Sequence, residues 1–354
     1  MQITKKNLRL LDKEELTKEM EALGEKKFRT SQLFQWLWKY RTLDFSEMKN
    51  IPKPLQAKLH ELYDLPETSV SIFQQSQDGT IKVGFETYDK ETIEGVIIPS
   101  EDRITACISS QVGCSLSCTF CATGFLPRKR NLFAFEIYDQ VYLLNELALK
   151  HYEKPLTNIV YMGMGEPLLN YDEVVKSLHR LHSEDEGLGI GAKRITVSTS
   201  GIVRNIKKLA DEGLKINLAL SLHAANNDKR TAVMDINKSN PLEELMAILA
   251  YFYEKTHNKI TYEYILLNQF NDSAEDAIDL AELCQDFPVY VNLIEYNPVD
   301  GAPYSKSKKE RRDAFLQTLR DKGVSSKVRK SRGKDIDAAC GQLANKIVKL
   351  QLDS

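Results

Sequence analysis

From about residue 104 onward, strand-like runs alternate with helical patterns, and this constrains the fold more than any other feature of the chain. Apolar and β-branched clusters predict strands over 104–109, 158–162, 195–198, 216–221, 260–266 and 290–296. Apolar spacing predicts helices over 133–149, 171–181, 203–212, 241–253, 274–284 and 308–322. Strand–helix–strand repeats of this kind require parallel pairing through right-handed crossovers. The expected class is α/β, as an open doubly wound sheet or a complete or partial barrel; periodicity leaves that choice open. Several polar and glycine-rich clusters follow strand ends, where both architectures place their sites.

The chain has 354 residues, 42% hydrophobic and 28% charged, enough for one large domain with an appendage or for two domains. Three segments are expected: a mostly helical appendage over 1–92, the α/β body over 93–322, and a C-terminal segment over 323–354. In the appendage, Thr30 and Ser31 are candidate N-caps for an amphipathic run carrying Leu33, Trp36, Leu37 and Tyr40. Lys26, Lys27, Arg29, Lys39 and Arg41 fit its exposed side, either as a solvated face or as an RNA contact. Pro52 and Pro54 lead into a second helix, and short strands are expected at 81–86 and 94–98.

A net charge of −2 gives no global signature of nucleic-acid binding, so any such surface must be local. No run has the length of a membrane span, and the polar first residues lack the apolar core of a secretory signal. The expected location is the cytoplasm, where structural disulfides are disfavoured.

Four of the six cysteines, Cys107, Cys114, Cys118 and Cys121, crowd into one stretch; Cys284 and Cys340 stand apart. Cys114-x3-Cys118-x2-Cys121 follows the first strand of the α/β body. A structural zinc site wants four ligands, commonly in two pairs, and no second pair or nearby histidine follows. Three thiolates on one loop can instead hold three irons of a [4Fe-4S] cluster, leaving the fourth iron open to a cofactor or substrate. A zinc site completed by remote residues, or inert buried cysteines, are the other readings of the motif.

With Phe120 before its last cysteine, this motif resembles the signature of radical S-adenosylmethionine (SAM) enzymes. In that superfamily the SAM amino and carboxylate groups chelate the unique iron, and the barrel carries the cluster loop after its first strand. The run Gly163-Met164-Gly165-Glu166-Pro167 resembles the motif that meets the SAM amino group. Gly165 permits close backbone approach, and Glu166 can accept from an ammonium. Ser198, Ser221-Leu222-His223 and Asn297 lie at or just past strand ends, where each is an ordinary turn residue alone and a SAM contact if they converge on one barrel mouth.

Cys107-Ile108-Ser109-Ser110-Gln111-Val112-Gly113-Cys114, Gly163 to Leu168, Asn297-Pro298 and Gly333 to Leu343 together resemble the RNA adenine-C2 methyltransferases of the RlmN type. The likeness runs from about Lys26 to Leu343 with no departure at a motif position. It implies methylation of adenine C2 in 23S rRNA, and in tRNA, with two SAM per turnover. It further implies a partial (β/α)6 barrel with an N-terminal helical appendage that binds RNA and a mobile C-terminal segment. By resemblance, Cys340 carries the methyl group, Cys107 resolves the RNA adduct, and Glu94 accepts a proton. The expected partners are 23S rRNA, tRNA and an electron donor such as a flavodoxin, with the protein a monomer.

A sister group methylates adenine C8 and shares these cysteines; proline after Gly165-Glu166 goes with C2, so Pro167 favours C2. A non-catalytic, zinc-stapled RNA-binding protein is the alternative of another class, and a fourth cluster ligand the rival role for Cys107. Lys327, Arg329, Lys330, Arg332 and Lys334 favour a thiolate at Cys340, whereas Asp335 and Asp337 oppose it, and the sequence leaves that contest open. Arg128, Lys129 and Arg130 make a basic spot after the cluster loop, either an RNA contact or a solvated turn.

Overall fold

The computed structural model describes residues 5–344; the first four residues and the tail beyond 344 lie outside it. A ten-stranded sheet organises the chain, and its strands lie side by side in sequence order. These are β1 (Ser69–Gln75), β2 (Ile81–Glu86), β3 (Thr92–Pro99), β4 (Ile104–Cys107), β5 (Asn158–Tyr161), β6 (Ile195–Thr199), β7 (Asn217–Ser221), β8 (Ile260–Leu266), β9 (Val289–Glu295) and β10 (Ser326–Arg329). Strands β1 to β4 pair antiparallel and β4 to β10 pair parallel. The order is open at both ends, so the parallel part is a partial barrel.

All six expected parallel strands are present, with a seventh, β10, added from the segment read as a tail. The helices of the body are α4 (Ala134–Tyr152), α5 (Tyr171–His182), α6 (Val203–Asp211), α7 (Asn227–Val233), α8 (Leu242–Thr256), α9 (Ala274–Glu282) and α10 (Lys309–Asp321). Every residue of β8 is buried, as parallel strands covered on both faces require.

The N-terminal helices α1 (Lys13–Ala22), α2 (Phe28–Phe34) and α3 (Lys53–Leu62) end before β1. Helicity therefore stops near residue 62, and β1 and β2 belong to the same sheet as the barrel strands. Helix α2 begins before the expected caps, with Thr30 buried inside it, and runs on as a π-helical stretch, Gln35–Lys39.

A buried ionic knot docks these helices on the barrel. Asp139, on α4, accepts bidentate hydrogen bonds from Arg9 at 2.8 and 2.7 Å, from Arg41 Nε at 2.9 Å and from the Thr68 amide at 3.0 Å. Burial alone would raise the Asp139 pKa, but Arg9 and Arg41 hold it below the usual carboxylate value. The Arg9 guanidinium also lies over the Trp38 and Phe135 rings. Arg41, expected on the exposed basic face, is thus a buried part of this knot.

The start of the C-terminal segment is pinned to the β1–β2 hairpin. The Gly333 amide donates to Asp78 at 3.0 Å, and Asp335 accepts from Ser76 and from the Gln77 amide. Gly333 has φ +65°, and a Cβ there would meet Ala338 at 2.7 Å, so glycine is required for the turn. Further on, the Ala344 amide donates to Glu94 at 3.0 Å.

Candidate active site

At the C-terminal ends of the parallel strands lies a cavity of about 160 Å³. Its wall includes Cys114, Cys118 and Cys121, with Gly163, Gly165 and Glu166 after β5, Ser198 on β6, Ser221 at the end of β7 and His223 just past it. The cluster loop turns tightly: a Cβ on Gly124 would meet the Cys118 carbonyl oxygen at 2.5 Å. Gly165, at φ +95°, lies against Gln111, and a Cβ there would come within 2.5 Å of the Gln111 side chain. Gly124 is therefore required by the approach of the Cys118 backbone, and Gly165 both by its positive φ and by the approach of Gln111.

Burial pushes all three thiols up, Cys114 to about 11 and Cys118 well above its usual value, with Cys121 also raised. Bare thiols there stay protonated, whereas a bound cation would make the thiolates the stable form. Among the described residues, no three His, Cys, Asp or Glu side chains gather as ligands of a single ion would. Three thiols on one loop, facing one cavity, suit a polynuclear iron–sulfur group in which each sulfur takes its own iron.

Glu166 is buried and accepts four hydrogen bonds: from the Leu168 amide at 3.0 Å, Thr199 Oγ1 at 2.7 Å, the Ser200 amide at 2.7 Å and Ser200 Oγ at 2.8 Å. Burial raises its pKa against these donors. Its carboxylate braces the ends of β5 and β6, so any ligand ammonium must share or displace one of these donors.

His223 has φ +59° and sets its ring edge-on to Phe120, with centroids 4.7 Å apart. Its Nδ1 accepts from the Ile265 amide at 3.1 Å, which leaves the proton on Nε2. Burial, reinforced by Arg230, pushes the imidazole pKa down to about 3, so the ring is neutral at working pH. Leu222 and Asn297, expected beside SAM, are not on the cavity wall. Leu222 is buried in the core, its amide donating to the Glu263 carbonyl, and Asn297 donates to the Cys340 carbonyl at 3.3 Å.

A second, smaller chamber of about 60 Å³ adjoins the first. Cys107, Val96, Ile98, Met162, Arg329, Lys330, Arg332 and Cys340 line it, and Arg329, Met162 and Cys340 line both spaces. Burial, then the neighbouring Cys340, pushes the Cys107 thiol up to about 12, with Arg329 opposing. Arg329 pairs with Glu263 at 3.4 Å and approaches the Met162 sulfur at 3.6 Å. Its pKa is raised chiefly by Cys340, so it is the cation of the basic run most closely coupled to the thiols. Asp335, expected to oppose a thiolate at Cys340, is turned to the hairpin instead.

Glu94 is fully buried and lines neither space. Its carboxylate lies 3.7 Å from Lys82 and accepts from the Ala344 amide. It does share a strand face with Val96 and Ile98, which line the chamber, because side chains alternate along β3.

Two buried residues were not singled out from sequence. Glu263 reads there as a charge within an apolar strand, yet it holds both Arg329 and Asn292. Arg230, in the polar α7, donates to the carbonyls of Ser200 and Leu222 and to Asn237, bracing the ends of β6 and β7. The basic spot after the cluster loop is largely neutralised: Lys129 pairs with Glu91, and Arg130 with Asp89 and Glu136.

An open parallel barrel with a three-cysteine loop after its first parallel strand defines a class of enzyme, and residues 108–281 match the family described as the Radical SAM superfamily. Residues 6–65 match the family described as the ribosomal RNA large subunit methyltransferase N-terminal domain. A Cytophaga hutchinsonii protein named "Probable dual-specificity RNA methyltransferase RlmN" is 50% identical over 98% of this chain and 95% of its own. A Streptococcus gordonii protein of the same name is 45% identical over 96% of this chain and 94% of its own. The crystal structure of a radical SAM methyltransferase from Sphaerobacter thermophilus matches with a TM-score of 0.88 and 41% identity, covering 96% of this chain and 99% of that one. The chain belongs to the RlmN family of radical SAM methyltransferases. That membership sets aside the non-catalytic, zinc-stapled reading. No helix among the described residues is long and apolar enough to cross a membrane.

Proposed function

We propose that the enzyme methylates C2 of adenine in 23S rRNA and in tRNA, in the cytoplasm, through a methyl group carried on Cys340. The observation that carries this reading is the position of Cys340 on the wall common to both spaces, with the cluster-loop cysteines in one and Cys107 in the other. Adenine C2 lies between two ring nitrogens and has no lone pair, so it cannot take a methyl group by simple displacement.

Cys114, Cys118 and Cys121 would hold a [4Fe-4S] cluster, and Gly165, Glu166, Ser198, Ser221 and His223 would surround SAM. When bound, the cluster supplies the electron that cleaves SAM to methionine and a 5′-deoxyadenosyl radical. Cys340 first attacks the methyl carbon of one SAM, releasing S-adenosylhomocysteine. Loss of a hydrogen atom from that S-methyl group, to the radical from a second SAM, leaves a methylene radical on Cys340. It adds to C2, and the adduct then gives up the C2 proton, with Glu94 the candidate acceptor once the Ala344 amide is released, and one electron, which would return to the cluster oxidised in the SAM cleavage.

The Cys107 thiolate next attacks the Cys340 sulfur, the departing carbon takes a proton, and the methylated base leaves. The resulting Cys107–Cys340 disulfide needs two electrons from an external donor, such as a flavodoxin-linked system, before the next turnover. Arg329 serves both thiols as a fixed positive charge, held by Glu263. Mass spectrometry of nucleosides from a deletion strain with and without this gene tests the reading. Restored 2-methyladenosine supports it; 8-methyladenosine would assign the enzyme to the sister group, and neither product would overturn the reading.

A further inference from the structure

Near the two thiols, positive charge is unbalanced in a specific way. Lys330 and Arg332 line the small chamber and are exposed, with no carboxylate on its wall. Neither makes an ion pair or side-chain hydrogen bond among the described residues. The other cations nearby are engaged: Lys334, Lys306 and Arg312 converge on Glu295, and Arg329 pairs with Glu263. The strand that precedes Lys330 belongs to the sheet, and the turn that follows Arg332 is tied down through Gly333 and Asp78. Burial alone would raise Asp78, but hydrogen bonds from Thr80, Gly333 and Ser76 hold it at about 2, so the tie is charged at neutral pH. Two unpaired cations are therefore presented on a braced segment, at the chamber that holds both Cys107 and Cys340.

The geometry points to Lys330 and Arg332 as a phosphate clamp that grips the RNA backbone beside the target adenosine; this rests on the RNA-methylating function proposed above. An adenine entering between the two thiols carries its own 5′ and 3′ phosphodiesters with it, and these must lie at the chamber's rim. Cations there neutralise phosphates without reading a base, so the clamp positions any target of suitable shape. This accounts for a positive surface on a chain with a net charge of −2, where Lys129 and Arg130 are already paired. Arg332, with its forked guanidinium, suits bidentate contact, and Lys330 acts as a point charge.

The test measures association of the full-length, cluster-loaded enzyme with a stem-loop RNA bearing the target adenosine, as a function of salt. In Lys330→Gln/Arg332→Gln, the slope of log K against log salt should become less negative by about 1.4, roughly 0.7 per single-strand phosphate contact. At 0.1 M salt that is roughly a five-fold loss per contact. The charge-conserving Lys330→Arg/Arg332→Lys variant should keep the wild-type slope, which separates a charge effect from misfolding. Neutral methylphosphonates flanking the target adenosine should weaken wild-type binding and add nothing in the Gln double variant. An unchanged slope in the Gln double variant, or losses that add, would overturn the clamp. Tight, salt-dependent wild-type binding with no methylated adenosine formed would instead overturn the proposed function, since binding and product are read separately.

Discussion

Cys107 and Cys340 line one small chamber, the first at the end of β4, where the parallel strands begin, and the second on the segment that follows β10, where they end. Arg329 stands with them, and Glu263 holds its guanidinium from β8. Cys340 also faces the cavity of the cluster loop, whereas Cys107 does not, so substitution can tell the roles of these cysteines apart.

The cluster assignment predicts a brown protein when purified without oxygen, with about four irons and four sulfides per chain. Cys114→Ala, Cys118→Ala and Cys121→Ala should each lose the cluster and SAM cleavage. Cys107→Ala should retain its iron, as its side chain lies in the other chamber. Iron analysis and absorbance decide this, and iron loss in Cys107→Ala would make it a ligand.

Release of the RNA adduct should depend on pH through Cys107. Burial, the largest cause and one that does not depend on a charge at Cys340, holds its thiol above the ordinary value, so the reactive thiolate is a small fraction that grows about ten-fold per pH unit throughout the working range. Single-turnover release should therefore accelerate from pH 7 to pH 9 without reaching a plateau. Arg329→Gln, which removes the positive charge that favours the thiolate, should slow release across the range. A plateau near pH 8 would mean that another group controls the step.

The ionic knot beneath the N-terminal helices makes a stability prediction. Asp139→Asn leaves Arg9 buried without its counter-charge and should cost about 3–5 kcal/mol in denaturant titration. The Asp139 pKa is lowered in the folded state, so its stabilising contribution is complete above the unfolded value of 3.8. It is lost as pH falls below that value and through the lower pKa of the folded state. A change below 1 kcal/mol would show that the appendage is held by apolar contacts alone.

The α/β body was legible because apolar spacing changes character between strands and helices over long, regular runs. Strand β10 was not: Ser326–Arg329 is short and polar and leads into a basic run, so it reads as tail. Strand β1 carries a register shift between Val70 and Ile72, which breaks the alternation that would have exposed it. At the site, the cysteine spacing and strand-end positions point to Cys114, Cys118, Cys121, Gly165, Glu166, Ser198, Ser221 and His223, whereas Thr199, Met234 and Glu263, on the same wall, carry no such signal. The contest between cations and acids around Cys340 could not be read from sequence. It depends on Asp335 turning to Ser76 and Gln77, a contact between segments far apart in the chain. Leu222 and Asn297 follow strand ends, but a strand end does not fix side-chain direction, and neither residue is on the cavity wall.

The most direct test of the central claim is recovery of RNA with the Cys107→Ala enzyme isolated from cells. A methylated Cys340 in that variant can still be activated and attack adenine, but no thiol remains to break the thioether link. The account predicts RNA that stays attached through denaturation and that nuclease digestion trims to a modified Cys340 peptide, with no such adduct in Cys340→Ala. No adduct in Cys107→Ala, or one in Cys340→Ala, would contradict the roles given to the two thiols.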